Sequence, residues 1–161
     1  MTTPLERLVG LLPSAPADFR DYSDMVSEAI FEAAQKDVDA FLHVLEEEPT
    51  LMESGTVVFA LGAIDDERLV PLLAGALESK SSNIRWSAAH ALAKRKSAVP
   101  ALIDALRDRA PTVRAVVIEA LGDLGDTRAL QPLREALSRP GNAKDDYLSK
   151  LLEAAIQKLT A

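Results

Sequence analysis

Ser87 and His90 are the residues whose types and spacing come nearest to a catalytic pair in this sequence. They are three positions apart, so on one helix they share a face, where a histidine base could activate a serine hydroxyl. No third group that would orient the histidine and no oxyanion-forming loop accompanies them. A polar fringe on an alanine-rich helix is the favoured interpretation, and we predict no catalytic residues.

Metal and phosphate chemistry also lack their usual ligand patterns. The two histidines, His43 and His90, have no neighbouring ligands, and the sequence contains no cysteine. The segment LGDLGD at residues 121–126 lacks the lysine and the spacing of a phosphate-binding loop. Its glycines and aspartates are typical of turns. We therefore expect neither a metal site nor a cofactor.

The composition limits the class of protein further. The chain has 161 residues, of which 48% are hydrophobic, enough for one domain with a core. The absence of cysteine and of a basic, apolar secretory start predicts a cytoplasmic location. The longest charge-free apolar stretch, residues 55–64, is far shorter than the roughly 18 residues of a membrane-spanning helix.

The charge is distributed unevenly along the chain. Residues 1–80 carry a net charge of −11 and residues 81–161 a net charge of +4, which gives −7 for the whole. An acidic chain disfavours general nucleic-acid binding, which needs clustered lysine and arginine. The acidic half favours a basic partner through electrostatic steering.

The sequence repeats itself with a period of about 30 residues, and each unit holds two apolar segments of helical spacing. An alanine followed by leucine or isoleucine recurs at spacings of 31, 31 and 29 residues, at Ala29, Ala60, Ala91 and Ala120. In the second segments the leucines recur at Leu45, Leu77, Leu106 and Leu137. No useful stretch alternates with period two, so strands are not expected.

The prolines and capping residues between the apolar segments are typical of helix pairs. Pro71, Pro100 and Pro132 lie near the starts of second helices, where a missing amide hydrogen costs little. Ser97 and Thr127 are predicted N-caps beside them. We expect one domain over residues 1–161, with a leading helix and proline-rich link in 1–22, four helix pairs in 23–139 and a terminal capping helix in 143–160.

The segments NIRWSAAHALA (83–93) and TVRAVVIEALGDLGDTRALQPLREAL (112–137) resemble HEAT-like repeats of the phycobilin-lyase type. This resemblance implies an all-α fold, a right-handed α-α superhelix of about ten helices. It also implies that Arg85 and Arg114 occupy a repeated position that often pairs with a carboxylate of a neighbouring unit. The segment KRKS (94–97) departs from the pattern by replacing the usual Gly-Asp turn.

The same resemblance includes an iron-dependent hydroxylase, but that activity requires His-Glu pairs, and here His43 precedes valine and His90 precedes alanine. It also implies that second helices line a concave groove. Two rows of second-helix residues then form its floor: His43, Gly75, Asp104 and Glu135, followed by Glu46, Glu78, Arg107 and Ser138. Glycine inside a helix costs about 1 kcal/mol relative to alanine, so Gly75 is either a point of close approach or a tolerated defect.

A second candidate surface surrounds Trp86. Trp86 and His90 are four residues apart on one helix, and Phe59 occupies the position equivalent to His90 in the preceding unit. These rings form either packing between repeats or an apolar patch that binds a partner. The sequence does not distinguish the Trp86 surface from the groove.

The favoured function is a non-catalytic protein-binding module whose partner is another protein. The candidate partner-binding residues are His43, Glu46, Glu78, Asp104, Arg107, Arg134, Glu135 and Trp86. One alternative is an accessory or lyase-like protein that binds a small ligand such as a bilin. The other is nucleic-acid binding through the basic C-terminal half, including KRK at residues 94–96. No membrane association is expected.

Overall fold

The computed structural model describes residues 19–161, and every regular element in that part of the chain is helical. Its ten α-helices are α1 (Phe19–Lys36), α2 (Val38–Glu47), α3 (Gly55–Ala60), α4 (Leu69–Ala76), α5 (Ser82–Leu92), α6 (Val99–Ala105), α7 (Pro111–Leu124), α8 (Leu130–Ser138), α9 (Pro140–Ala143) and α10 (Asp146–Thr160). Short 3-10 helices occupy Pro49–Glu53, Leu61–Ala63, Lys96–Ala98 and Thr127–Ala129. The predicted all-α fold of about ten helices is confirmed.

The element boundaries differ from the expected ones at both ends. The first described helix begins at Phe19, inside the segment assigned to a proline-rich link. The extra helix α9 lies between the last predicted helix pair and the predicted terminal helix, and α10 begins at Asp146 rather than at residue 143. The leading helix predicted before residue 13 lies outside the described residues.

The helices form two layers. The first helices of the pairs, α1, α3, α5 and α7, pack against one another in chain order, and α10 extends this layer at α7. The second helices α4, α6 and α8 pack against the first helix that follows each of them, α5, α7 and α10. Each pair therefore contacts its neighbours in sequence, which defines an α-solenoid.

The stack buries most of the repeated apolar positions, although Leu137 is only partly buried. Two first helices carry apolar residues at equivalent positions, and all of these residues are buried: Ile84, Ala88, Ala91 and Leu92 in α5, and Val113, Val117, Ala120 and Leu121 in α7. Among second helices Leu73, Leu102 and Leu133 are completely buried. A single pair cannot cover both stripes, so burial of these residues requires the neighbouring repeats.

Glycine permits close packing in the first-helix layer, at Gly62 in the 3-10 helix that follows α3 and at Gly122 in α7. A Cβ atom on Gly62 would lie 2.9 Å from the Cα atom of Ala91, and one on Gly122 would lie 3.0 Å from the Cβ atom of Ala155. Gly75, in contrast, is exposed, and an added Cβ would meet nothing within 4 Å. No described part of the chain packs closely against Gly75, so within this protein the helix-weakening glycine is a tolerated defect.

Side-chain caps begin several helices, although not the two that were predicted. Asp37 accepts a hydrogen bond from the Ala40 amide at 3.0 Å. Asp126, rather than Thr127, accepts one from the Arg128 amide at 2.9 Å. The Ser97 hydroxyl donates to the carboxylate of Glu67 in the preceding unit instead of capping. The predictions for Thr127 and Ser97 were wrong because nearby aspartate and glutamate carboxylates are stronger acceptors.

Within residues 19–161, no helix has the length and apolar character needed to cross a bilayer.

The glycine contacts lead to a test of the stacking geometry. We expect Gly62→Ala to destabilise the fold by about 1 to 3 kcal/mol, because the new methyl group meets the backbone of Ala91. The matched control Gly75→Ala should stabilise it by up to about 1 kcal/mol, the difference in helix propensity. Denaturant unfolding measures both. Equal effects of the two substitutions would contradict close packing at Gly62.

Candidate functional site

A buried ion pair connects the loops that follow two successive second helices. The Arg85 guanidinium donates from Nε and Nη2 to the two carboxylate oxygens of Asp108, at 2.6 and 3.0 Å. Its Nη1 donates to the carbonyl oxygens of Ser79 and Lys80, at 2.9 and 3.1 Å. The Arg85 and Asp108 side chains are only 5% and 6% exposed. Arg85 therefore joins its own α4–α5 loop to the α6–α7 loop of the next unit.

The ion pair sets the protonation of both groups. Burial opposes ionisation of Asp108, but hydrogen bonds from Arg85 and from the Ala110 amide outweigh it and lower the pKa of the carboxyl group. The bond to Asp108 raises the pKa of Arg85 in turn. Both groups are thus charged in the folded state at neutral pH.

The same arrangement recurs one unit later without its carboxylate. Arg114 is 29 residues after Arg85, and its Nη1 donates to the carbonyl oxygens of Asp108 and Arg109, at 2.8 and 3.4 Å. In the following unit, Arg139 stands where Asp108 stands in this one. Among the described residues, the carboxylate pairing implied by the resemblance therefore holds for Arg85 but not for Arg114.

A cleft of about 400 Å³ opens above this ion pair, between the ends of α4 and α6. Three residues proposed from the sequence, Glu78, Asp104 and Arg107, line it. Lys80 and Arg109 line it as well, and all five of these side chains belong to exposed residues. We call this site the charged cleft.

Lys80 and Arg109 were not among the candidate partner-binding residues, because they belong to loops rather than to the helical rows. Arg109 Nη2 donates to the Lys80 carbonyl oxygen at 2.6 Å, which ties the two loops together a second time. The sequence feature that could have identified them is a charged residue shortly after the end of each second helix. Helical periodicity predicts the direction of a side chain within a helix, but not that of a side chain in a loop.

The remaining second-helix candidates do not join the cleft. His43 and Glu46 are exposed on α2, where the His43 imidazole lies 3.4 Å from the Glu47 carboxylate. Arg134 and Glu135 are exposed on α8, and they too are absent from the cleft lining. The structure therefore gathers three of the seven second-helix candidates into one place.

Trp86 lies in an aromatic cluster on the layer of first helices. Its ring stacks on Phe59 with centroids 6.0 Å apart and an interplanar angle of 10°. The His90 ring contacts it edge-on at 4.1 Å. Trp86 is partly buried, whereas Phe59 is 49% exposed. The cluster thus combines packing between repeats with an exposed surface, the two interpretations that the sequence left open.

The basic segment KRK is not a surface cluster. Arg95 is 5% exposed and donates to the carbonyl oxygens of Ala91 and Leu61, each at 3.3 Å, and to that of Ile64. It satisfies helix-end carbonyls where the usual Gly-Asp turn is missing. Of the three KRK residues, only Lys94 and Lys96 are exposed. The central residue of this basic segment is therefore not accessible to a nucleic acid.

The serine and histidine that suggested catalysis do not form a hydrogen-bonded pair in the part of the chain that the structure describes. Ser87 is 3% exposed, and His90 makes ring contacts with Trp86 and Phe59 rather than a hydrogen bond with Ser87. In the part of the chain that the structure describes, no three His, Cys, Asp or Glu side chains are grouped so as to hold a metal ion.

Comparison with known proteins identifies the class. A family model described as HEAT repeats matches residues 38–98 and again residues 93–154. Together the matches span well over half of the chain, so this protein belongs to the HEAT repeat family. HEAT repeats stack helix pairs into a solenoid, in agreement with the two helical layers. Among curated proteins, none matches the sequence closely enough to count as a relative.

The buried ion pair predicts a specific acid sensitivity. We expect Asp108→Asn to destabilise the protein at pH 7 by about 3 to 5 kcal/mol, since it leaves the Arg85 charge buried and uncompensated. Because the folded pKa of Asp108 is lowered, its contribution is complete above the ordinary value of 3.8 and is lost as the pH falls through the folded value.

Denaturant unfolding of both proteins between pH 7 and pH 2 measures this difference. As a control, Asp123→Asn removes the exposed ion pair with Lys158, whose side chains are 63% and 56% exposed, and should have a much smaller effect. A gap between wild type and Asp108→Asn that does not narrow at low pH would refute the assignment.

Proposed function

We propose that this protein is a non-catalytic protein-binding module and that the charged cleft is its binding surface. The observation that carries the proposal is the arrangement of five exposed charged residues around one depression of about 400 Å³. HEAT repeats generally serve as scaffolds for protein interactions, which supports a protein as the ligand. We assign a cytoplasmic location as part of the proposal, because the chain contains no cysteine.

The floor of the cleft supports binding by preorganisation. The Arg85–Asp108 pair and the Arg109–Lys80 bond hold the two lining loops at a fixed separation. A partner that enters therefore does not have to pay the entropy of ordering these loops. The charged side chains above the floor then determine orientation and partner choice.

The signs of the charges favour a protein over a nucleic acid. Glu78 and Asp104 are negative, and Lys80, Arg107 and Arg109 are positive, all within one cleft. A phosphate backbone needs a surface of one sign, whereas a protein surface can offer complementary charges of both signs. The burial of Arg95 and the pairing of Arg128 with Asp126 weaken the nucleic-acid alternative further.

We further propose that the repeats belong to the phycobilin-lyase subtype, on the basis of the Val-Arg and Ala-Leu-Gly steps at Val113 and Ala120. The subtype does not carry bilin binding with it. A cleft lined by exposed charges suits a folded protein surface better than a bilin, whose conjugated rings need a mostly apolar pocket with a few flanking polar groups.

Charge reversal in the cleft tests the proposal. We expect Asp104→Arg and Arg107→Glu each to reduce capture of the cognate partner from a native extract by about tenfold or more, because close interfacial charge pairs are strongly coupled. Quantitative mass spectrometry of the captured proteins measures the loss. Thermal unfolding should be unchanged, since both residues are exposed.

The matched controls are Glu153→Arg and Lys150→Glu, which make the same charge changes on exposed residues of α10. If both cleft variants still capture the partner, the binding site lies outside the charged cleft. A partner lost equally with the α10 variants would show that only overall charge matters.

A further inference from the structure

A second cavity, of about 290 Å³, lies between α5, α7 and the start of α10. Three ring-bearing side chains line it: Trp86 and His90 from α5, and Tyr147 from α10. None of these rings lines the charged cleft, so the two sites are separate. We call this second site the aromatic cavity.

The ring wall of the aromatic cavity is fixed by its own packing. Phe59 stacks against Trp86, and His90 contacts both rings, with centroid distances between 4.1 and 6.0 Å. Tyr147 is 61% exposed, which is unusual for a large aromatic residue next to an apolar wall. Exposed aromatic rings around a concavity are the chemistry of a binding site.

The charges at the aromatic cavity are of one sign, unlike those of the charged cleft. Glu119 and Asp145 line it, and in the part of the chain that the structure describes neither lysine nor arginine is among its lining residues. Asp145 caps α10 by accepting hydrogen bonds from the amides of Tyr147 and Leu148 through Oδ1, at 3.0 and 3.1 Å. The capping bonds leave Oδ2 available to a ligand.

Two further groups affect the electrostatic potential of the aromatic cavity, but neither changes its negative sign. Burial lowers the pKa of His90, so the imidazole is neutral at pH 7 and does not repel a cation. The first turn of α7, at Pro111 and Thr112, also borders the cavity. A helix N-terminus carries roughly half a positive charge, which is much less than two carboxylates contribute.

We propose that the aromatic cavity binds an arginine side chain presented by a basic segment of a partner protein. The guanidinium group is planar and delocalised, stacks on aromatic rings and donates two parallel hydrogen bonds to a carboxylate. The cavity offers both kinds of contact, with Trp86 and Tyr147 as rings and Glu119 and Asp145 as acceptors. An uncharged apolar side chain would leave both carboxylates without a counter-charge.

The chain provides its own probe for this site, because Trp86 is its single tryptophan. The ligand is the acetylated and amidated peptide Gly-Ser-Arg-Gly-Arg-Ser-Gly, and the comparison ligand is the same peptide with citrulline in place of both arginines. Citrulline keeps the shape of arginine and removes its charge. We expect a saturable change in Trp86 fluorescence with the arginine peptide and an affinity lower by about tenfold or more with citrulline.

Variants assign the binding to the cavity. Glu119→Gln and Asp145→Asn should each weaken binding of the arginine peptide several-fold, and Tyr147→Leu should weaken it as well. Asparagine is as good an N-cap as aspartate, so Asp145→Asn keeps the start of α10 intact. Asp123→Asn removes one charge from α7 outside the cavity and should leave the affinity unchanged.

Isothermal titration calorimetry of the same peptides supplies a second measurement that does not depend on Trp86. The proposal is overturned if neither method detects binding at millimolar peptide, if the citrulline peptide binds equally well, or if Glu119→Gln and Asp145→Asn have no effect. Self-association of the chain that is abolished by these two substitutions would overturn it in favour of a second copy as the occupant. The charged-cleft variants Asp104→Arg and Arg107→Glu should not alter peptide binding, so this result and the capture experiment are independent.

Discussion

Direct packing between successive first helices is the constraint on which the rest of this structure depends. Gly62 faces the backbone of Ala91, and Gly122 faces Ala155, at distances that leave no room for a larger side chain. Close approach buries the repeated alanines and most of the repeated leucines, whereas Leu137 is partly buried. It also keeps the second helices in a separate layer, where each rests on the next first helix. The charged cleft is the gap between two such second helices.

Arginine side chains complete this framework at the places where backbone groups lack helical partners. Arg85 and Arg114 donate to the carbonyls of the loops before their helices, and Arg95 donates to helix-end carbonyls of the preceding unit. A guanidinium group suits this role because it carries five donors in a rigid plane and remains charged when buried. Of these three arginines, Arg85 alone also has a carboxylate partner, Asp108, so among residues 19–161 the buried salt bridge lies at one interface between repeats.

The two layers consequently present different binding chemistry. On the second-helix layer, charges of both signs surround a depression with a fixed floor, which suits a complementary charged surface. On the first-helix layer, aromatic rings and two carboxylates line a smaller cavity, which suits a single cationic side chain. A solenoid keeps such sites independent, because each is built by adjacent repeats and neither requires the other to be occupied.

The sequence by itself determined the fold class, the repeat length and the buried stripes, because helical periodicity is a local property of the chain. It also predicted as candidates Glu78 and Arg107, which share a register, Asp104 in the adjoining row, and the neighbouring rings of Phe59, Trp86 and His90. Only the tertiary structure showed that Arg95 is buried and that Lys80 and Arg109 complete the charged cleft. It alone placed Tyr147, Glu119 and Asp145 beside Trp86. The physical reason is that these contacts join residues about 30 or more positions apart, so their geometry depends on how closely the repeats stack.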